Sequence, residues 1–151
     1  MTEIVRFLLT ALAAGVLASG AMEAVLWVVG TGGWAKANMI VALGSLFTRS
    51  RDSALRVGLI LHVVAGIGFA VLYTLLMLKL GYTEMPASMM LGAGVGFVHG
   101  LIVSLGLVWV VAEQHPLEEF NEAGLAIGLS HILGHVAYGA VVGVVVGISP
   151  I

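Results

Sequence analysis

The segment AGLAIGLSHILGHVAYGAVVGVVVGIS, residues 123–149, runs for 27 residues without an Asp, Glu, Lys or Arg, yet carries two histidines, His131 and His135. An uncharged apolar run of that length crosses the roughly 30 Å hydrocarbon core of a bilayer as a helix. The two histidines are four apart, so they share one face of that helix. Titratable side chains are costly in hydrocarbon and turn towards a bundle interior or a wet cavity. The segment therefore predicts a membrane-spanning helix with a polar inner face, and the rest of the chain must supply what that face meets.

Three further apolar runs precede it, from about Ile4 to Val29, Leu55 to Leu78 and Ser88 to Ala112. Each carries one ionisable residue near its middle: Glu23, His62 and His99. Breakers separate the runs, at Gly30-Thr31-Gly32-Gly33, at Lys79-Leu80-Gly81 with the stretch through Pro86, at His115-Pro116, and at Pro150 beyond the last. A backbone crossing lipid must satisfy its own polar groups, and the runs lack the alternation of barrel strands, so helices are predicted. The expected fold is an all-α, polytopic membrane four-helix bundle forming a single transmembrane domain over residues 1–151. Between the first two spans, Trp34, Met39, Ile40, Leu43, Leu46 and Phe47 recur at helical spacing, with Lys36, Asn38, Ser45 and Arg49 elsewhere on the wheel. That pattern predicts a short amphipathic helix in the headgroup region. Residues 1–21 resemble a secretory signal, with Arg6 ahead of an apolar run and small residues Ala18, Ser19 and Gly20. The run continues past Glu23 to Val29, which predicts an uncleaved first span instead.

Composition points the same way. Of the 151 residues, 60% are hydrophobic and 9% charged, against about 25% charged in a soluble domain. The bilayer is thus an expected partner. The net charge of −2 and the absence of a basic stripe speak against nucleic acid. Without cysteine there are no disulfides, thiolate metal sites or iron–sulfur clusters. No phosphate loop, nucleophile elbow or zinc-protease motif occurs, and whether a reaction is catalysed stays open. Lys36, Arg49, Arg51 and Arg56 lie on the side of the first and third loops, against Arg6 and Lys79 on the other. Positive charge prefers the cytoplasmic side, which predicts both termini outside.

Gly92, Gly96 and Gly100 repeat every four residues in the third span, as do Gly139, Gly143 and Gly147 in the fourth. Such faces let helix backbones approach closely. They predict a tight bundle, or a contact with a second copy or a larger membrane complex; a cofactor lying against a glycine face is the other use. The spans also echo one another. Gly20-Ala21-Met22-Glu23 with Gly30 matches Gly96-Phe97-Val98-His99 with Gly106, and His62 with Gly66 matches His135 with Gly139. The echo predicts two parallel helical-hairpin repeats, about 1–80 and 81–151, related by a pseudo-twofold along the membrane normal.

Counted along the helices, Glu23, His62, His131 and His135 fall about 10 to 18 Å below the surface bearing the first and third loops, with His99 near 20 Å. At matched heights, helices of a bundle can build a shared site. The expectation is a transition metal ion (iron or zinc foremost, manganese or copper besides) bound through Glu23, His62, His99, His131 and His135. Ser19, Ser104, Ser130 and Tyr138 are the candidates for orienting the imidazoles. A b-type haem with His62 and His135 as axial ligands is the alternative cofactor. A proton or ion relay through the same groups, and a ligand-free assembly subunit of a larger complex, are the other readings. The third loop gathers Glu113, His115, Glu118, Glu119, Asn121 and Glu122, which suggests either an acidic mouth attracting cations or a solvated helix start.

His62 followed by Gly66, and His-Val-Ala-Tyr-Gly-Ala-Val-Val-Gly from His135 to Gly143, resemble small bacterial inner-membrane proteins of the YagU-like kind. The resemblance implies four helices in a bacterial inner membrane and supplies no site residue.

Overall fold

The computed structural model describes residues 2–35, 38–106, 112–121 and 124–151. Four helices are long and apolar enough to cross a bilayer: α1 (Glu3–Thr31), α3 (Ala54–Leu80), α4 (Ala87–Gly106) and α6 (Leu125–Ile148). A short helix α2 (Met39–Thr48) joins the first two, and a turn α5 (Ala112–Gln114) with a 3-10 turn (Glu118–Phe120) joins the last two. Among the described residues there is no strand. The chain is thus an all-helical bundle that fits an integral membrane protein. Residues 107–111, Ala123, Lys36 and Glu122, which entered the span limits, the charge count and the acidic loop, lie outside the described residues.

Local chemistry sets the helix ends. Thr2 accepts a hydrogen bond from the Val5 amide at 3.4 Å and opens α1, with Glu3 in the first turn, where a carboxylate complements the helix dipole. Asn38 opens α2 in the same way through the Val41 amide. α3 ends on Gly81, whose φ of 74° lies in the left-handed region that favours glycine.

α6 is the hub, packed extensively on α4 and on α1; α1 also packs on α3, while α3 touches α4 and α6 only lightly. The core lies where α1, α3 and α6 meet, with Ala14, Ala18 and Met22 against Ala70, Met77, Tyr138 and Val142. Leu8, Leu59, Ile102 and Leu133 point outwards and stay exposed, as a lipid-facing surface requires.

The two predicted glycine faces meet each other inside the chain. A Cβ on Gly92 would run into the Gly139 carbonyl and one on Gly139 into the Gly92 carbonyl, while Gly96 sits against the His135 carbonyl and Gly143 against that of Ser88. Glycine is unfavourable within a helix by about 1 kcal/mol. Here it lets two backbones touch, which gains dispersion and Cα–H···O contacts where no hydrophobic effect operates between helices.

α2 is the short helix expected between the first two spans. It lies on the N-terminal half of α3, backbone to backbone, with Gly44 against the Ala54 carbonyl and Gly58 against that of Ile40. Ser45, expected on the polar side, is fully buried and donates to the Val41 carbonyl at 2.7 Å. The glycines decide which face is buried; the larger Phe47 is left 67% exposed.

Gly139→Leu is expected to destabilise the bundle by about 3 kcal/mol, the scale of overpacking a filled interior. Gly94→Leu, where an added Cβ meets nothing within 4 Å, should leave stability unchanged. Reversible unfolding in mixed detergent micelles measures both.

Candidate functional site

A cavity of about 330 Å³ lies between α1, α3, α4 and α6, roofed by α2 and by the segment from Ala112 to Phe120. All five histidines of the chain line it. His62 comes from α3, His99 from α4, His131 and His135 from α6, and His115 from the roof. The rest of the wall is mainly apolar, including Met22, Leu43, Leu46, Phe69 and Val103. The volume is that of a small-molecule site.

Each imidazole of the bundle is held in its own way. His131 Nδ1 donates to the Ile127 carbonyl at 2.8 Å, and His135 Nδ1 to the His131 carbonyl at 2.7 Å. A carbonyl can only accept, so the proton sits on Nδ1 and, in the neutral ring, Nε2 keeps a free lone pair. His99 Nδ1 lies 3.2 Å from Tyr73 Oη, and its ring packs on Phe69 with centroids 4.1 Å apart. His99 and His135 meet edge to face at 4.6 Å. On the opposite side Glu23 reaches His62, Oε1 to Nε2 at 3.3 Å, although Glu23 itself is not part of the cavity wall. The approach is close but not aligned as a hydrogen bond, and Glu23 Oε1, His62 Nε2 and Ser19 Oγ are all buried without a partner among the described residues.

The predicted site residues are therefore gathered around one space, but not onto one point. Among the described residues, no three His, Asp or Glu side chains stand close enough together to hold a metal ion. They pair instead, Glu23 with His62 and His99 with His135. Two of the four expected orienting groups are engaged elsewhere. Ser130 donates to its own Ala126 carbonyl at 2.6 Å, and Tyr138 donates to the Gly66 carbonyl. In a helix the carbonyl one turn back is the nearest acceptor for a short side chain, and it orients His131 and His135 in the serine's place. Tyr73 was not predicted. Its one sequence signal is a hydroxyl inside the second apolar run.

His115 has a structural task. The Leu117 amide donates to its Nδ1 at 3.1 Å, so Nε2–H donates to the Ala42 carbonyl at 3.1 Å, with Ser45 Oγ 3.5 Å away. The ring fastens the 112–120 segment to α2. Arg51 adds an ion pair with Glu119 across the same junction. One carboxylate of the acidic loop is thus neutralised, by a partner distant in sequence.

Comparison of the chain with protein-family models, with curated proteins and with solved structures gives no match.

His115→Ala should cost about 1 to 3 kcal/mol, the scale of buried polar atoms left unpaired, and should speed hydrogen exchange in α2 and in residues 112–121. Arg51→Ala, whose pair is 60% and 42% exposed, should cost less than about 1 kcal/mol. Hydrogen-exchange mass spectrometry together with unfolding measurements separates the two.

Proposed function

We propose that this protein is a membrane-embedded binding protein that holds a small ligand in its histidine-lined cavity, through a group that donates hydrogen bonds to imidazole. The observation that carries this reading is the free nitrogen on His131 and His135, whose Nδ1 protons are taken by backbone carbonyls. Such rings accept and do not donate, so the matching ligand group is a hydroxyl or an amine. The unpartnered Ser19 Oγ, His62 Nε2 and Glu23 Oε1 offer further places for the same polar group. Buried polar atoms are ordinarily satisfied, by protein, water or ligand. The apolar remainder of the wall supplies the ligand's contact area.

A transition metal ion is the second reading, favoured by one feature. Metal-ligating imidazoles usually donate their other N–H to a carbonyl or carboxylate, as His131 and His135 do here. With four of the five predicted groups in two pairs and His131 outside both, such an ion would take at most part of that set, and water or the ligand would complete its coordination. A haem with His62 and His135 as axial ligands is the remaining cofactor alternative. The pairing of Glu23 with His62 and of His99 with His135 supports the proposal that the two hairpins are parallel repeats, since corresponding residues meet in each.

Binding of ethylphenol and of its methyl ether to protein in lipid nanodiscs tests the reading. The phenol should bind more tightly by roughly tenfold to a hundredfold, the value of pairing buried polar atoms. His135→Ala and His131→Ala should remove that preference while the ether's weak binding stays. Equal binding of phenol and ether would overturn the proposal. Near-stoichiometric metal in the purified protein, lost in His135→Ala, would replace it with the second reading, and a Soret band with haem.

A further inference from the structure

A second concavity lies on the lipid-facing side of the seam between α3 and α4, lined by Leu72 and Leu76 on one side and Leu91, Gly94, Val98 and Ile102 on the other. Phe69 and His99 belong to both this groove and the histidine-lined cavity. The two spaces therefore share that pair of rings as a common wall. The groove opens where α3 and α4 touch only lightly, so no tight seam closes it. Its polar side chains, Tyr73 and His99, face each other at 3.2 Å, which leaves the remaining lining wholly apolar.

The polarity of the combined track has a direction. The histidine-lined end lies under α2 and the 112–120 segment, at the membrane face where the first and third loops emerge. The groove spans about 18 Å along α4 from Ile102 to Met90 at 1.5 Å per residue, of which about 14 Å, from His99 to Met90, runs away from that face. An amphiphile matches this order, with its polar end among the histidines and its hydrocarbon along the groove across the bilayer centre. Building on the cavity reading above, we infer that the ligand is a membrane amphiphile with a hydroxyl-bearing head and a long hydrocarbon tail. The head sits among the histidines, the tail lies in the α3–α4 groove, and the molecule enters sideways from the lipid past Phe69 and His99.

Gly94 supplies the test. A Cβ added there meets nothing within 4 Å, so Gly94→Phe fills the groove without disturbing the bundle. Val98→Trp, at a position 56% exposed, is a second plug, and Gly68→Phe, outside the groove and equally free of neighbours, is the control. The probe is dodecylphenol carrying a diazirine at the end of its tail, in phosphatidylcholine nanodiscs, with ethylphenol as the tailless companion. Irradiation should place the label on the groove faces of α3 and α4. Gly94→Phe and Val98→Trp should each weaken dodecylphenol binding by about tenfold or more, the scale on which an apolar pocket discriminates by shape, with ethylphenol and the control unaffected. If ethylphenol binds while the label spreads over the other lipid-facing helix surfaces, or while both plugged variants take up dodecylphenol like the parent, the groove inference is overturned and the cavity reading stands. If neither phenol binds, both fall.

Discussion

Where Gly92 faces Gly139 no side chain separates the two backbones, and each carbonyl stands where the other residue's Cβ would be. α4 and α6 are drawn together along their length by this contact, with Gly96 and Gly143 continuing it. α6 also packs on α1, and α1 on α3. α3 consequently reaches the bundle mainly through α1, and its other flank, towards α4, is left nearly uncovered. The cavity and the groove both lie along that uncovered flank. The closeness of one pair of helices and the openness of another are two consequences of where the glycines fall.

The second constraint is hydrogen bonding without water. An imidazole in hydrocarbon needs a partner for its N–H, and the carbonyl one turn back is already beside it. His131 and His135 use that carbonyl and so present only a lone pair. His99 is met instead by Tyr73, and His62 is approached by Glu23 without being satisfied by it. The cavity thus combines acceptors of fixed direction with a few polar atoms that no group among the described residues completes. Because the surroundings are apolar, a ligand donor faces little competition from solvent there, and each contact is worth more than it would be in water.

The four spans were legible because an apolar run of this length leaves the backbone no choice but a helix, with glycine and proline breakers between them. The position of each polar residue was legible too, since burial of a histidine in an apolar helix has a strong directional meaning: His62, His99, His131 and His135 all reached one cavity. Their spacing around that cavity was not. Equal height along four helices says nothing of the rotation of each about its axis, and the rotation that places Gly96 against the His135 carbonyl also brings His99 to His135 and keeps both apart from the Glu23–His62 pair. The place of α2 was hidden for a related reason. Its hydrophobic periodicity marked Leu43 and Phe47 as the buried stripe, but Gly44 and Gly58 dock it through a face with almost no side chain. His115 lay among acidic residues that read as an acidic mouth or a solvated helix start; its partner, the Ala42 carbonyl, is 73 positions away in the chain.

α2 therefore acts on the cavity from a place no periodicity marks. Its Met39, Ala42, Leu43 and Leu46 close the end nearest the membrane surface, and His115 and the Arg51–Glu119 pair hold the neighbouring segment against it. With that end roofed by interlocked backbone and side-chain contacts, and Phe69 and His99 shared with the α3–α4 groove, the inferred path into the cavity lies through the bilayer. Such a path selects for molecules already dissolved in lipid before any contact with a histidine is made. The imidazoles then choose among those molecules by the one property hydrocarbon cannot supply, a proton to donate.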